Sequence, residues 1–212
     1  GVDMSAALAV PGVRAVLTGE DVKRWTAPFV VGVKAPMEHW CLAVDKVRYV
    51  GEPVALVVAE NRYVAEDAAD LVRVEYLRLP AVVETSHAID AGASLLHEAV
   101  DSNVVSDRSF VYGDPDAAFA AAPHRVRLKI HYPRNSCTPI EGFVAVAEHL
   151  AGDEGYEVLS NFMGPFSLHA VMALALKVPA SKLRLKLPRD SGGSFGVKQA
   201  IFPYVVALCL AS

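Results

Sequence analysis

Pro53-Val54-Ala55-Leu56-Val57-Val58-Ala59 is a continuous apolar run, the pattern of a strand covered on both faces. Asn61 follows it as a helix N-cap. From Arg62 to Leu71, the residues Val64, Ala65, Ala68, Ala69 and Leu71 recur at helical spacing, with Glu66 and Asp67 near the start. Val72-Arg73-Val74-Glu75-Tyr76 then alternates apolar and charged, as a half-buried strand does. The stretch reads as a β-α-β unit with both strands in one sheet, closed by Leu79-Pro80-Ala81.

Upstream, Asp3 caps a short helix over residues 5–9 that Pro11-Gly12 stops. Val13 to Leu17 reads as a strand and Gly19-Glu20-Asp21-Val22 as a brief helical turn. Residues 26–43, rich in Pro and Gly, yield no clear element. Downstream, residues 85–112 read as a linker over a surface. Gly113-Asp114-Pro115-Asp116 is a turn and cap leading into a helix over residues 117–122. Strands are expected at Arg125–Tyr132, Phe143–His149, Tyr156–Leu159 and Leu183–Leu187. A helix with Pro165 at its first position runs to about Lys177, with Phe166, Met172, Leu174 and Leu176 expected in the core.

Composition narrows the function classes. The chain has 212 residues, 53% of them hydrophobic, enough for one or two domains with a real core. A net charge of -4 argues against a nucleic-acid surface, which needs clustered Lys and Arg. No apolar run is long enough for a membrane span. The three cysteines, Cys41, Cys137 and Cys209, form no CxxC and no disulfide framework, which fits a reducing cytoplasm. The histidines show no metal-ligand spacing, so no metal held directly by side chains is expected. The start, Gly1-Val2-Asp3, lacks an initiator Met, and Cys209-Leu210-Ala211-Ser212 stops inside an apolar helix without a cap. Both features read as a cut chain, expected to be inactive and to associate when isolated.

The stretch that carries chemistry is Asp190-Ser191-Gly192-Gly193-Ser194-Phe195-Gly196-Val197-Lys198, directly after a strand. Glycines let backbone approach a ligand closely, and successive free N–H groups make a concavity for oxygen atoms. The loop is neither a Walker A loop nor a dinucleotide GxGxxG. Taken alone, it is a turn or a loop for a phosphate or polar cofactor.

In context the loop resembles the GGGFGGK-type loop of the molybdenum hydroxylases: xanthine dehydrogenases, aldehyde oxidases and carbon monoxide dehydrogenase large subunits. Three further stretches resemble the same family in the right order. Val13 to Asp21 resembles "PGV.AV.TG.D", Val47 to Ala55 "V.YVGEPVA", and Glu75-Tyr76 with Leu79 to Val82 "VEYE.LPAV".

The resemblance implies an α+β chain from the N-terminal part of the large subunit. Residues 1–84 are expected to be an α/β hammerhead domain without its first strands. Residues 85–112 are the linker, and 113–212 begin the first molybdopterin-binding domain, of mixed α/β type. It implies molybdopterin, in mono- or dinucleotide form, carrying molybdenum. It also implies iron–sulfur clusters and FAD on partner chains or regions, and a small organic substrate. The activity implied is water-dependent hydroxylation of an N-heterocycle, an aldehyde or a related carbon centre. The alternative is a non-catalytic split subunit lending hammerhead and loop surface to a partner chain.

Residue by residue, Gly192, Gly193, Phe195 and Gly196 match the family's cofactor loop. Ser194 replaces a frequent glycine and resists some positive-φ conformations. Met163, before Gly164, stands about where the family has a Gln. Either Asn161 replaces that Gln or Met163 is core filler. Glu141 matches a family Glu near the site and is expected to be structural rather than a substrate contact. Glu52 reads as a turn residue. Lys198 reads equally as a phosphate contact or a solvated charge. The family's catalytic Glu base would lie beyond residue 212, so no catalytic residue is expected in this chain.

Overall fold

The computed structural model describes residues 1–30, 37–133, 135 and 137–212. Part of the expected irregular stretch, residues 31–36, lies outside the described residues.

Strand β1 (Val2–Asp3) leads to helix α1 (Ser5–Leu8). Asp3 Oδ1 accepts both the N–H and the hydroxyl of Ser5, at 3.0 and 2.7 Å, so it holds the first turn from one residue before the formal cap, Met4. Strand β2 (Val13–Thr18) runs directly into helix α2 (Gly19–Trp25), longer than the single turn expected. A capping box explains the extension. The Asp21 carboxylate accepts the Thr18 N–H at 2.8 Å, while the Thr18 side chain serves the third helical residue.

Strand β3 (Ala55–Ala59) pairs antiparallel with β2, and helix α3 (Arg62–Ala69) packs against it. Asn61 caps α3 as expected, its Oδ1 accepting the Val64 N–H at 3.0 Å. Two expectations fail here. β3 is half-buried along its length rather than covered on both faces. Strand β4 (Arg73–Val74) is not in its sheet; it pairs with β1, and Gly1 and Glu75 extend the ladder by exchanging backbone hydrogen bonds. Periodicity reports which residues face a core, not which edge a strand finds.

Residues 85–112 contain one short 3₁₀ turn, Glu98–Val100. They are fastened rather than loose. Asn103 accepts the Leu96 N–H and donates to the carbonyls of Ala88 and Ser94. Lys46 and Arg48 donate to the carbonyls of Leu95 and Leu96. Glu52 closes the loop carrying those cations by accepting the Arg48 N–H.

Helix α4 (Pro115–Ala121) is capped by Asp114. Residues 125–132 do not form the expected strand. They are exposed and find no ladder partner among the described residues, so their alternation has no sheet to join. Strands β5 (Ala145–Leu150), β6 (Gly155–Ser160) and β7 (Leu183–Lys186) form one sheet in that order, with β6 and β7 parallel. Helix α5 (Pro165–Ala175) supplies the crossover between them. Met172 and Leu176 are core residues as expected, whereas Phe166 and Leu174 are exposed, on the other side of the helix.

Helix α6 (Phe202–Ala211) completes the larger core with Val205, Val206 and Cys209. That core also draws Val22, Phe29, Cys41 and Leu42 from the first half of the chain. Phe29 meets the Phe202 ring edge-on at 4.8 Å, and the Ala27 N–H bonds the Ala175 carbonyl at 2.8 Å.

Candidate functional site

The residues between β7 and α6 form an arch. Its shape rests on Ser194, whose Oγ accepts the N–H groups of Gly196 and Lys198 at 3.2 and 3.1 Å. Its carbonyl accepts the Val197 N–H at 3.1 Å. The serine that replaces a family glycine therefore ties the turn together. Positive φ falls on the next two residues, Phe195 at 49° and Gly196 at 93°, so the strain expected at Ser194 sits on Phe195.

The arch is anchored to Glu141. Glu141 Oε2 accepts the Gly192 N–H at 2.9 Å, and Oε1 accepts Lys198 Nζ at 2.5 Å and Asn161 Nδ2 at 2.7 Å. These donors, Lys198 first, hold the Glu141 carboxyl down at a pKa of about 2. Lys198 is neither a solvated charge nor free for a phosphate: it is wholly buried and paired with Glu141. Asn161 is buried too. Its Nδ2 also donates to the Gly142 carbonyl, and its Oδ1 accepts the Val144 N–H, so both ends of the amide are engaged inside the chain.

Met163 reaches the arch through its backbone, its N–H bonding the Lys198 carbonyl at 3.3 Å. Its side chain is 43% exposed, so it does not fill the core of this chain. Gly164 adopts φ 70° before α5, and a Cβ there would stand 3.4 Å from Gln199 Nε2. Gln199 also donates to Ser167 Oγ at 2.8 Å. Gln199 was not singled out from the sequence, although an amide directly after the loop's lysine was the available signal.

Glu141, Asn161, Met163, Gly164, Gly192 and Lys198 are thus brought together, with Ser194 holding the turn between the last two. Phe195 stands apart, 76% exposed. Among the described residues the N–H groups of Gly193, Ser194 and Phe195 have no acceptor. A Cβ on Gly193 would meet nothing within 4 Å. Three successive free N–H groups on an open face suit an oxygen-rich ligand, the kind of group a pterin cofactor presents. Among the described residues no three His, Cys, Asp or Glu side chains converge to hold a metal ion. Burial pushes the thiols of Cys41 and Cys209 up to about 12, which leaves them poor ligands. Hollows of about 310 and 280 Å³ lie elsewhere, one around Glu84 and His87, the other around Tyr156 and Lys182.

The chain matches two family models. Residues 1–80 match the α/β hammerhead domain of aldehyde oxidase and xanthine dehydrogenase, and residues 96–212 match the molybdopterin cofactor-binding domain. It is 35% identical to the carbon monoxide dehydrogenase large chain of Hydrogenophaga pseudoflava, over 98% of this chain and 27% of that one. It is 35% identical to the nicotine 6-hydroxylase large subunit of Paenarthrobacter nicotinovorans, over 100% and 26%. The structure of quinoline 2-oxidoreductase from Pseudomonas putida 86 superposes with a TM-score of 0.88 at 31% identity, covering 100% of this chain and 27% of that one. The chain thus spans about a quarter of the length of the relatives it matches. No helix among the described residues is long and apolar enough to cross a membrane. With hammerhead and cofactor-binding segments matched in order, the chain belongs to the aldehyde oxidase and xanthine dehydrogenase family of molybdenum hydroxylases.

Proposed function

We propose that this chain is the hammerhead and first cofactor-binding portion of a cytoplasmic molybdenum hydroxylase, one that oxidises an N-heterocycle, an aldehyde or a related carbon centre with oxygen from water. The observation that carries the reading is the arch: three free N–H groups on an open glycine face, in a segment matched to a molybdopterin-binding domain. In this reading the hammerhead portion is residues 1–84, residues 85–112 connect, and 113–212 begin the cofactor domain. Molybdopterin, as the mononucleotide or dinucleotide, would supply the two-electron oxidation of the substrate carbon. The chain's own part is to hold and orient that group. Gly193, Ser194 and Phe195 offer backbone donors, Gly192 and Gly196 give the arch its close approach, and Met163 and Gly164 border it. Phe195 presents an apolar ring that keeps bulk water from the reacting face. The catalytic base comes from the rest of the large subunit. Iron–sulfur and FAD modules on partner chains receive the electrons. The named substrates of the relatives, carbon monoxide and nicotine, differ enough that the family leaves the substrate open.

Gly193→Val in the full-length enzyme complex tests the reading. Within this chain a side chain at 193 meets open space, and its φ lies outside the left-handed region, so the fold itself tolerates valine. A fall in molybdenum per protein at unchanged thermal stability is the expected result, since a ligand lying on that face would meet the new side chain. Wild-type molybdenum content and kcat/KM would make the arch an ordinary surface turn.

A further inference from the structure

Both feet of the glycine arch stand on one carboxylate. At the leading foot Glu141 Oε2 takes the Gly192 N–H, at 2.9 Å; at the trailing foot Oε1 takes Lys198 Nζ, at 2.5 Å. Asn161, at the end of β6, fixes the carboxylate from a third side at 2.7 Å. Glu141 itself lies in an irregular stretch, outside every helix and strand, so these partners define its place.

Two details show that the arrangement is tightly specified. A Cβ built on Gly192 would stand 2.9 Å from Glu141 Oε2 and 3.0 Å from its Cβ, so only glycine lets the leading foot come this close. Lys198 is 0% exposed, and a buried ammonium requires a carboxylate partner. Glu141 is that partner, and it is half-exposed. The pair is therefore asymmetric: Glu141 without Lys198 can be solvated, whereas Lys198 without Glu141 cannot.

We propose that Glu141 is the positioning residue of the arch, clamping Gly192 and Lys198 to one carboxylate and so setting the direction of the free N–H groups between them. It does not touch substrate. Both of its oxygens already accept, from three donors on two segments of the chain, the arch itself and the end of β6. The roles are thereby divided: Asn161 and Lys198 hold the carboxylate, and the carboxylate holds the arch. The inference rests on the reading that the arch faces the cofactor.

The test uses the full-length enzyme complex and three readouts: hydrogen exchange across residues 190–199, thermal stability, and molybdenum per protein. Glu141→Asp keeps a charge for Lys198 but is one methylene too short to hold both feet. Exchange at the Gly192 and Lys198 amides should rise about tenfold, the scale of one lost hydrogen bond, with little change in Tm. The double variant Glu141→Gln with Lys198→Met removes the buried ammonium together with its partner, so it folds without an unpaired charge. It should loosen the arch in the same way. Unchanged exchange in both variants, or exchange that rises only in step with a fall in Tm, overturns the clamp. Loosened arches with full molybdenum uphold the clamp and overturn the cofactor reading. Tight arches that have lost molybdenum overturn the clamp and leave the cofactor reading standing.

Discussion

Gly19 lies so close to Ala43 that a Cβ on it would stand 2.2 Å from the Ala43 carbonyl oxygen and 2.6 Å from Val44 Cα. Both neighbours are backbone, and the Ala43 N–H is itself held by the Pro53 carbonyl at 2.7 Å. An alanine in a helix is ordinarily better than glycine by about 1 kcal/mol. Here the overlap wins. Gly19→Ala should destabilise the protein by about 1–3 kcal/mol, read as a fall in Tm of the purified enzyme. A Tm at or above the wild-type value would mean that the 43–53 loop yields freely.

Asn61 gives the first turn of α3 a hydrogen-bond partner through its side chain. Asn61→Ala leaves the Val64 N–H to water and should cost about 1 kcal/mol. Asn61→Asp should be neutral or better, because a carboxylate accepts the same bond and favours the helix N-terminus. Denaturant unfolding of the two variants side by side decides it, and equal loss in both would mean that the cap is not what the side chain contributes.

Local signals in this chain were readable and partner choices were not. Asn61 before an apolar helix and Asp114 before Pro115 announced their caps, since a cap depends on residues within one turn. The pairing of β4 with β1 depends on Val2 and Asp3, some seventy residues away, and no pattern in Val72–Tyr76 names that partner. The segment 125–132 shows the same separation from the other direction, with good alternation and no ladder. At the site the glycines marked the arch, and Glu141 drew notice by matching a family Glu. That Lys198 turns inward to meet it was hidden, because a lysine beside glycines reads as surface until its carboxylate partner is seen.

Lys177 ends α5 in the left-handed region, at φ 57°. Its N–H bonds the Leu174 carbonyl at 3.0 Å, and the Val178 N–H bonds Ala173 at 3.1 Å. This closing turn is a place where glycine is normally found. Lys177→Gly removes the steric penalty of a side chain there, at the loss of an exposed hydrogen bond from Nζ to the Arg24 carbonyl. The variant should gain about 0.5–1 kcal/mol, seen as a rise in Tm. A fall in Tm would show that the Lys177–Arg24 contact matters more than the backbone.

Acid should act on the arch through Glu141. Its carboxyl is held at a pKa of about 2, against an ordinary value of 4.5, by Lys198 first, then Asn161 and the Gly192 N–H. A carboxyl lowered in the folded state contributes stability that is fully present above its unfolded value and lost as pH falls through the folded one. The contribution should therefore be constant from about pH 8 to about pH 5 and fade between about 4.5 and 2. Glu98 and Glu157 are lowered as well, by Lys46 and by Lys186 with Arg184, so acid weakens more than one contact. Comparison with Lys198→Met separates them. The variant removes the chief cause of the Glu141 shift and leaves the other two pairs intact. The Tm difference between wild type and variant should be flat at neutral pH and shrink below about pH 4.5, where Glu141 of the unfolded chain begins to take up a proton that the folded wild type still excludes. A difference that stays constant across that whole range would show that the Lys198–Glu141 pair is not what acid breaks.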